Sequence, residues 1–278
     1  MNYRHSYHSG NFADVFKHII VTALTQAMLR KENAFCFLDT HAGTGSYDLL
    51  GVEAQKTKEF ENGISKILQQ PDAPQLIHDY LQVVHKLNHN GIDTLNYYPG
   101  SPYIVQNFLR PQDRMVLTEL HETDAATLKQ FFWHDKRIGV HHQDGYNALK
   151  AFLPPKERRG FVLIDPPYEK PDELMQMITV LSNALERWET GIFALWYPIK
   201  EYRSIERFHQ AIKQRIKRPI LITELSIFPE NIATHLNGSG MLIINPPWQL
   251  DTEIKSILPW LWETLSPNKQ GRHEIKTL

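Results

Sequence analysis

The sequence predicts an α/β protein built around one mostly parallel sheet of seven strands. Three observations carry that expectation. Short apolar runs alternate with helical stretches, turns bearing acids and glycines follow directly behind several of those runs, and the last two runs are separated by a loop alone.

The elements follow in order. Residues 13–30 space their apolar side chains as a helix does, with Asn11 or Asp14 available to cap its start. Residues 34–38 form a short apolar, aromatic run that stops at Asp39-Thr40-His41-Ala42-Gly43-Thr44-Gly45, as a strand entering a small-residue loop does. Between Val52 and Asn96, Gln, Lys, Glu and Leu dominate, Pro71 and Pro74 interrupt, and the apolar period stays helical, which predicts a helical insertion. Beyond Pro99-Gly100-Ser101-Pro102, strands are predicted at 115–119, 139–142 and 161–164. Two more follow at 192–196 and 220–227, after helices near 172–187 and 201–215. Such alternation implies βαβ units with right-handed crossovers. The seventh strand, 240–244, follows the sixth across a loop and is expected to lie antiparallel beside it, a methyltransferase-like arrangement. The basic tail after Pro267 is expected to fray.

A chain of 278 residues suits one enlarged core with an insertion. The expected division is 1–50 for the N-terminal segment, first helix and first strand, 51–97 for the helical insertion subdomain, and 98–278 for the rest of the core. Hydrophobic residues make up 42% and charged residues 22%, far from the disordered regime. Thirty basic against thirty-one acidic residues give a formal charge of -1, so any affinity for nucleic acid must come from a local patch. The single cysteine, Cys36, excludes an internal disulfide and a multi-cysteine zinc site and fits a reducing cytosol. Residues 1–10 lack the apolar run of a signal peptide, and no stretch reaches about 18 uninterrupted apolar residues. A soluble, cytoplasmic, monomeric protein without a membrane span is expected.

Asp39 and the glycines after it end a buried strand, where a backbone without side chains lets a ligand approach closely. A tight turn with no ligand explains the same glycines, with Asp39 merely capping the loop. Glu119, at the end of the next strand, adds an acid where nucleotide-type ligands present ribose hydroxyls. Glu53, Glu59 and Glu61 are nearer in sequence and are expected on a solvated helical face. Asp144-Gly145 follows the third core strand, where a carboxylate accepts the amine of an adenine ring or, equally, caps a helix.

Asp165-Pro166-Pro167-Tyr168 follows directly on the fourth core strand and is the most informative segment. An exocyclic adenine amine is a poor nucleophile because its lone pair is delocalised into the ring. Asp165 and the carbonyl of Pro166 can accept that amine's two hydrogens, drawing the nitrogen toward sp³ geometry as it attacks a sulfonium methyl. Tyr168 offers a flat face for an extruded base. Read structurally, the same residues are an acidic turn with a packed tyrosine. Asn245-Pro246-Pro247-Trp248 has nearly the same form, but it ends the last strand, away from the expected crevice, so the chemistry is assigned to Asp165.

Cys36 is expected to be buried and unreactive, without a role in attack on a base. No metal site is expected: His141 and His142 are neighbours in a strand and point to opposite faces. Basic and aromatic groups cluster at Tyr3-Arg4-His5 with Tyr7-His8, at Lys156 with Arg158-Arg159, and at Arg215 with Lys217-Arg218. Each suits a solvated surface, and the first two flank ligand segments as a phosphate-contacting rim would.

With these residues on the page, the chain resembles the RlmJ family of bacterial 23S ribosomal RNA adenine-N6 methyltransferases. The match runs through residues 3–11 (YRHSYHSGN), 13–18 (ADVFKH), 39–43 (DTHAG) and 165–169 (DPPYE). The resemblance implies a Rossmann-like class I S-adenosylmethionine-dependent methyltransferase fold, with a helical subdomain inserted after the first strand. It implies methyl transfer to N6 of one adenine in 23S ribosomal RNA, with that RNA as partner and S-adenosylmethionine as cofactor. Lys17, His18, His41 and Ser101 would line the methionine end of the cofactor, beside Asp39 and Gly43. Glu119 would take the ribose, and Asp144 with Gly145 the adenine. Asp165 would be the amine acceptor, and Tyr3, with Arg4 beside it, would meet the target nucleotide.

Two rival readings stay open at this level. A DNA adenine-N6 methyltransferase uses the same Asp-Pro-Pro-Tyr chemistry, and a preference for duplex DNA in a tritium transfer assay would mark it. A non-catalytic RNA-binding module on the same fold would fail to bind S-adenosylmethionine in a calorimetric titration. A nicotinamide oxidoreductase has no hydride-acceptor site to support it.

Overall fold

The computed structural model describes residues 4–88, 95–170, 172–229 and 236–278. Among the described residues there are ten strands and ten α-helices. In chain order the strands are β1 (Cys36–Asp39), β2 (Ser46–Asp48), β3 (Tyr97–Pro99), β4 (Arg114–Glu119) and β5 (Ile138–His142). They continue with β6 (Gly160–Ile164), β7 (Ile192–Ile199), β8 (Ile220–Ser226), β9 (Gly238–Ile244) and β10 (Arg272–Thr277). The helices are α1 (Phe12–Leu29), α2 (Val52–Thr57), α3 (Ile64–Leu68), α4 (Gln75–Leu87) and α5 (Ser101–Gln106). After them come α6 (Glu122–Phe131), α7 (Gly145–Phe152), α8 (Glu173–Arg187), α9 (Tyr202–Arg215) and α10 (Leu250–Leu265).

Eight strands form one sheet in the order β10-β8-β9-β7-β6-β1-β4-β5. Strands β1, β4, β5, β6 and β7 run parallel, and β9 inserts between β7 and β8, antiparallel to both. The methyltransferase-like arrangement is therefore present, with the final antiparallel strand where it was expected. The chain departs from β1 toward β4 on one side and β6 on the other. That reversal opens a crevice beyond the carboxyl ends of β1 and β6, the usual place for a ligand in such sheets.

One expectation is corrected. The tail does not fray: Arg272–Thr277 pairs antiparallel with β8, register Arg272↔Ser226 to Thr277↔Leu221, so the sheet has eight strands instead of seven. A chain end stays ordered when a sheet edge takes up its backbone hydrogen bonds.

Helix α1 is the central support of the fold. The side chain of Asn11 caps it, accepting from the N–H groups of Ala13 and Asp14 at 3.0 and 2.9 Å. Its 18 residues and mean hydropathy of 1.2 are enough to cross a membrane by length and composition, yet 89% of it is buried inside the protein. It packs between the sheet and the helices α4, α5 and α10, which accounts for an apolar surface on nearly every side. Residues 51–97 contribute α2, α3 and α4, whose buried Ile64, Ile67, Ile77 and Tyr80 join the same core as α1. The short ribbon of β2 against β3 closes this segment at its base. On the opposite face of the sheet, α7, α8 and α9 cover a second core centred on Val162, Leu195 and Leu242. Cys36 is buried there as expected, and burial pushes its thiol up to about 12.

Candidate active site

A cleft of about 690 Å³ lies over the carboxyl ends of β1, β4, β6 and β7, well within the size range of small-ligand sites. Its floor is the loop after β1. Thr40 N–H donates to the Leu163 carbonyl at 3.1 Å and Ala42 N–H to that of Thr118 at 3.0 Å, so the loop extends the pairing on both sides. Gly43 then turns at φ +61, and a Cβ there would meet the Tyr47 hydroxyl at 2.0 Å. Glu119, at the end of β4, accepts from Gly43 N–H at 2.9 Å and from His121 N–H at 2.8 Å, one per carboxylate oxygen. Each oxygen keeps a further lone pair.

Asp39 stands at the end of β1, fully buried beneath the loop. Ser101 Oγ donates to it at 2.7 Å and His41 N–H at 3.2 Å. Burial pushes its carboxyl up to about 7, despite those two hydrogen bonds. His41 lines the cleft above it, and burial pulls its imidazole down to about 4. His18 bonds the Tyr98 hydroxyl at 2.8 Å, and burial with the neighbouring Lys17 charge holds it well below the usual histidine range.

The first turn of α1 reaches the same place. Lys17 Nζ donates to Asp165 Oδ2 at 2.5 Å and to Asp14 Oδ1 at 2.9 Å. Asp14 also accepts from His5 at 2.8 Å and from Gly10 N–H at 3.0 Å. Burial opposes all of this charge, but Asp14 and Asp165 hold the Lys17 ammonium protonated, and His5 with Lys17 keeps the Asp14 carboxyl well below the usual carboxylate range.

Asp165 directly follows β6 and lines the cleft with Pro166, Pro167 and Tyr168. Tyr168 adopts φ +51, a conformation β-carbon residues rarely take, and its hydroxyl donates to the Trp196 carbonyl at 2.6 Å. The Trp196 ring, from β7, lies 5.8 Å from that of Tyr168 at 57° and 5.6 Å from Lys17 Nζ.

The structure thus brings Lys17, His18, His41, Gly43, Ser101 and Glu119 to the cleft that holds Asp165, Pro166 and Tyr168, with Arg4 on its rim and Asp39 directly beneath. Asp144 caps α7, accepting from Asn147 N–H at 2.9 Å, and neither it nor Gly145 lines the cleft. Asp144 is close enough to act on the His41 imidazole, and a Cβ on Gly145 would strike the Thr40 carbonyl at 2.2 Å, so this corner packs tightly against the loop. Tyr3 lies outside the described residues.

Three sequence readings are corrected or completed. Glu59 is not on a solvated face: it lines the cleft and bonds His8 at 2.8 Å and Asn11 Nδ2 at 2.9 Å, tying the insertion to the N-terminal segment. Lys156 and Arg158-Arg159 lie in the turn before β6, where Arg159 donates to the carbonyls of Asn33 and Met28, so they cannot rim a cleft at the other edge of the sheet. Asn245 follows the antiparallel β9 beside the start of β7, at that same far edge, and its amide bonds the carbonyls of Glu189 and Gly191 at 3.0 and 2.8 Å. The sequence reading does not single out Asp14 or Trp196 as site residues, and it places His5 only in the basic, aromatic cluster of the N-terminal segment. The signal for Asp14 was available: Asp14, Lys17 and His18 crowd one turn of a helix too apolar to possess a polar face. Among the described residues no group of three or more His, Cys, Asp or Glu side chains forms a metal-binding cluster.

Comparison with known proteins gives a consistent result. The family model described as "Ribosomal RNA large subunit methyltransferase D, RlmJ" matches residues 32–277. The chain is 42% identical to Ribosomal RNA large subunit methyltransferase J of Haemophilus influenzae, over 99% of this chain and 98% of that protein. It is 41% identical to the protein of that name from Escherichia coli, with the same coverage. A crystal structure of a Legionella pneumophila protein, 36% identical, matches with a TM-score of 0.87 over 98% of each chain.

Proposed function

The chain belongs to the RlmJ family of ribosomal RNA large subunit methyltransferases, and from that premise we propose that it methylates N6 of a single adenine in 23S ribosomal RNA, using S-adenosylmethionine in the bacterial cytoplasm. The observation that carries this reading is the meeting of Asp165, Pro166 and Tyr168 with the glycine loop and Glu119 in one cleft at the sheet's switch point.

The residues present suit the cofactor. The turn at Gly43 lines the cleft beside Glu119, and Glu119, which accepts the Gly43 N–H with one oxygen, retains acceptor capacity for a ribose diol. Lys17 offers positive charge for a carboxylate, and Asp39, Ser101, His41 and His18 surround the methionine end of the proposed site. The adenine edge is assigned to Asp144 and Gly145, which stand outside the cleft lining and pack against its Thr40–His41 loop. When bound, the cofactor supplies a sulfonium methyl as electrophile.

The chain's own residues do the rest. Lys17 fixes the Asp165 carboxylate through Oδ2. The remaining acceptor capacity of that carboxylate takes one amine hydrogen of the target adenine and the Pro166 carbonyl takes the other, localising the nitrogen lone pair toward the methyl. Tyr168 stacks the extruded base, worth about 1–3 kcal/mol. Arg4, on the rim, contacts the RNA near its target together with Tyr3.

Mass mapping of methylated nucleosides in ribosomal RNA from cells with and without the gene tests the reaction: one N6-methyladenine in 23S RNA should vanish with the gene. Asp165→Ala should abolish transfer and leave cofactor affinity nearly intact by calorimetry. Near-native turnover in that variant, with activity lost on altering Asn245 instead, would overturn the assignment.

A further inference from the structure

We propose that the outward face of α9, starting beside Lys200, is the track along which the RNA backbone enters the cleft. This rests on the reading of the enzyme as an RNA methyltransferase and adds where the strand runs.

The cleft is electrically lopsided. The wall built from residues 46–53 and α6 presents Asp48, Glu53 and Asp124, whereas the wall at the end of β7 presents Trp196, Pro198 and Lys200. A polyanion meets repulsion on the first side and attraction on the second. Lys200 is exposed and leads directly into α9.

Helix α9 buries Ile205, Phe208, His209 and Ile212 against the sheet. Its opposite side carries Arg203, Arg207, Gln210 and Gln214, all exposed, at i, i+4, i+7 and i+11. Every one of these side chains donates hydrogen bonds, and Lys213 flanks the row. Glu206 is the one acid at an exposed position within the helix. Among the described residues neither Arg203 nor Arg207 has a carboxylate partner within ion-pair distance, while Arg110, Arg114 and Arg137 each do. Two unpaired guanidinium groups about 6 Å apart along the helix, continuous with a lysine on the cleft rim, suit successive phosphates.

The test uses full-length protein and a 23S RNA fragment carrying the target adenine. Arg203→Gln/Arg207→Gln should raise KM for RNA about tenfold or more and lower the slope of log KM against log salt by about 2, with kcat at saturating RNA and calorimetric S-adenosylmethionine affinity unchanged. Arg203→Lys/Arg207→Lys should restore most of both. Parental protein that methylates the fragment, with a double Gln variant of unaltered KM and salt slope, would overturn the track and leave the enzyme reading standing. Parental protein that methylates no ribosomal RNA would overturn the enzyme reading itself. Loss of binding to phosphatidylglycerol vesicles in the double variant, with RNA kinetics unchanged, would assign the face to a lipid surface and overturn the proposal.

Discussion

Lys17, on the first helix, and Asp165, 148 residues later at the tip of β6, meet at 2.5 Å between Nζ and Oδ2. Neither is part of the other's local sequence context, and Asp14 completes the arrangement by sharing the ammonium at 2.9 Å. The reacting corner is therefore locked to α1 as firmly as to its own strand.

Removing the ammonium strands two acids. Lys17→Met should destabilise the protein by about 3 kcal/mol or more, because Asp14 keeps its burial and loses a cation. Lys17→Met/Asp14→Asn should recover part of that loss, as urea unfolding at neutral pH would reveal.

Gly63 faces the backbone of the N-terminal segment, and a Cβ there would sit 2.1 Å from the Gly10 carbonyl oxygen and 2.5 Å from the Asn11 carbonyl carbon. Backbone cannot swing aside as a side chain can. Gly63→Ala should cost about 1–3 kcal/mol and loosen residues 4–11, raising amide hydrogen exchange there while β1 and β6 keep theirs.

Asp39 and His41 impose opposite pH dependences on stability. With its carboxyl pushed up to about 7, Asp39 holds its proton in the folded protein after the unfolded chain has lost it, so its contribution declines as pH rises from about 4 to 7. With its imidazole pulled down to about 4, His41 stays neutral where the unfolded chain is protonated, so its contribution declines as pH falls from about 6.5 toward 4. The two slopes, each near 1.4 kcal/mol per pH unit at full effect, oppose one another. Relative to the parent, His41→Gln should steepen the loss of stability as pH rises from 4.5 to 6.5, and Asp39→Asn should do the reverse, in denaturant titrations across that range.

Tyr168 combines strain with contact. A residue with a β-carbon at φ +51 costs about 1–3 kcal/mol relative to glycine. Tyr168→Phe keeps the ring and should retain transfer within a few-fold, whereas Tyr168→Gly should cut it by about 10- to 100-fold through lost stacking. The glycine variant should still unfold at a denaturant concentration no lower than that of Tyr168→Ala, which keeps the strain and lacks the ring.

Much of this was legible in the sequence, for identifiable reasons. Strands β1, β4, β6 and β8 are buried along their whole length or nearly so, and therefore read as apolar runs. Strand β10 did not, because Arg272, His273, Glu274 and Lys276 give it no apolar period and an edge strand needs none. The β2–β3 ribbon escaped notice because its strands are three residues long and about fifty residues apart. Asp165 stood out because its neighbours in sequence are also its neighbours in chemistry. The Lys17–Asp14–His5 arrangement did not, since pairwise contacts across a fold leave no spacing rule, and only the family resemblance drew attention to Lys17. Glu59 looked like one acid among several on a polar helix, and what sets it apart is the N-terminal segment folding back onto it.

The charged border formed by β10 has an effect of its own. An unpaired ribbon edge invites any extended chain to zip onto it. With Arg272, Glu274 and Lys276 alternating in sign at every second position along that margin, a docking strand would have to strip water from ionic groups as it paired, a cost that discourages the sheet from growing there.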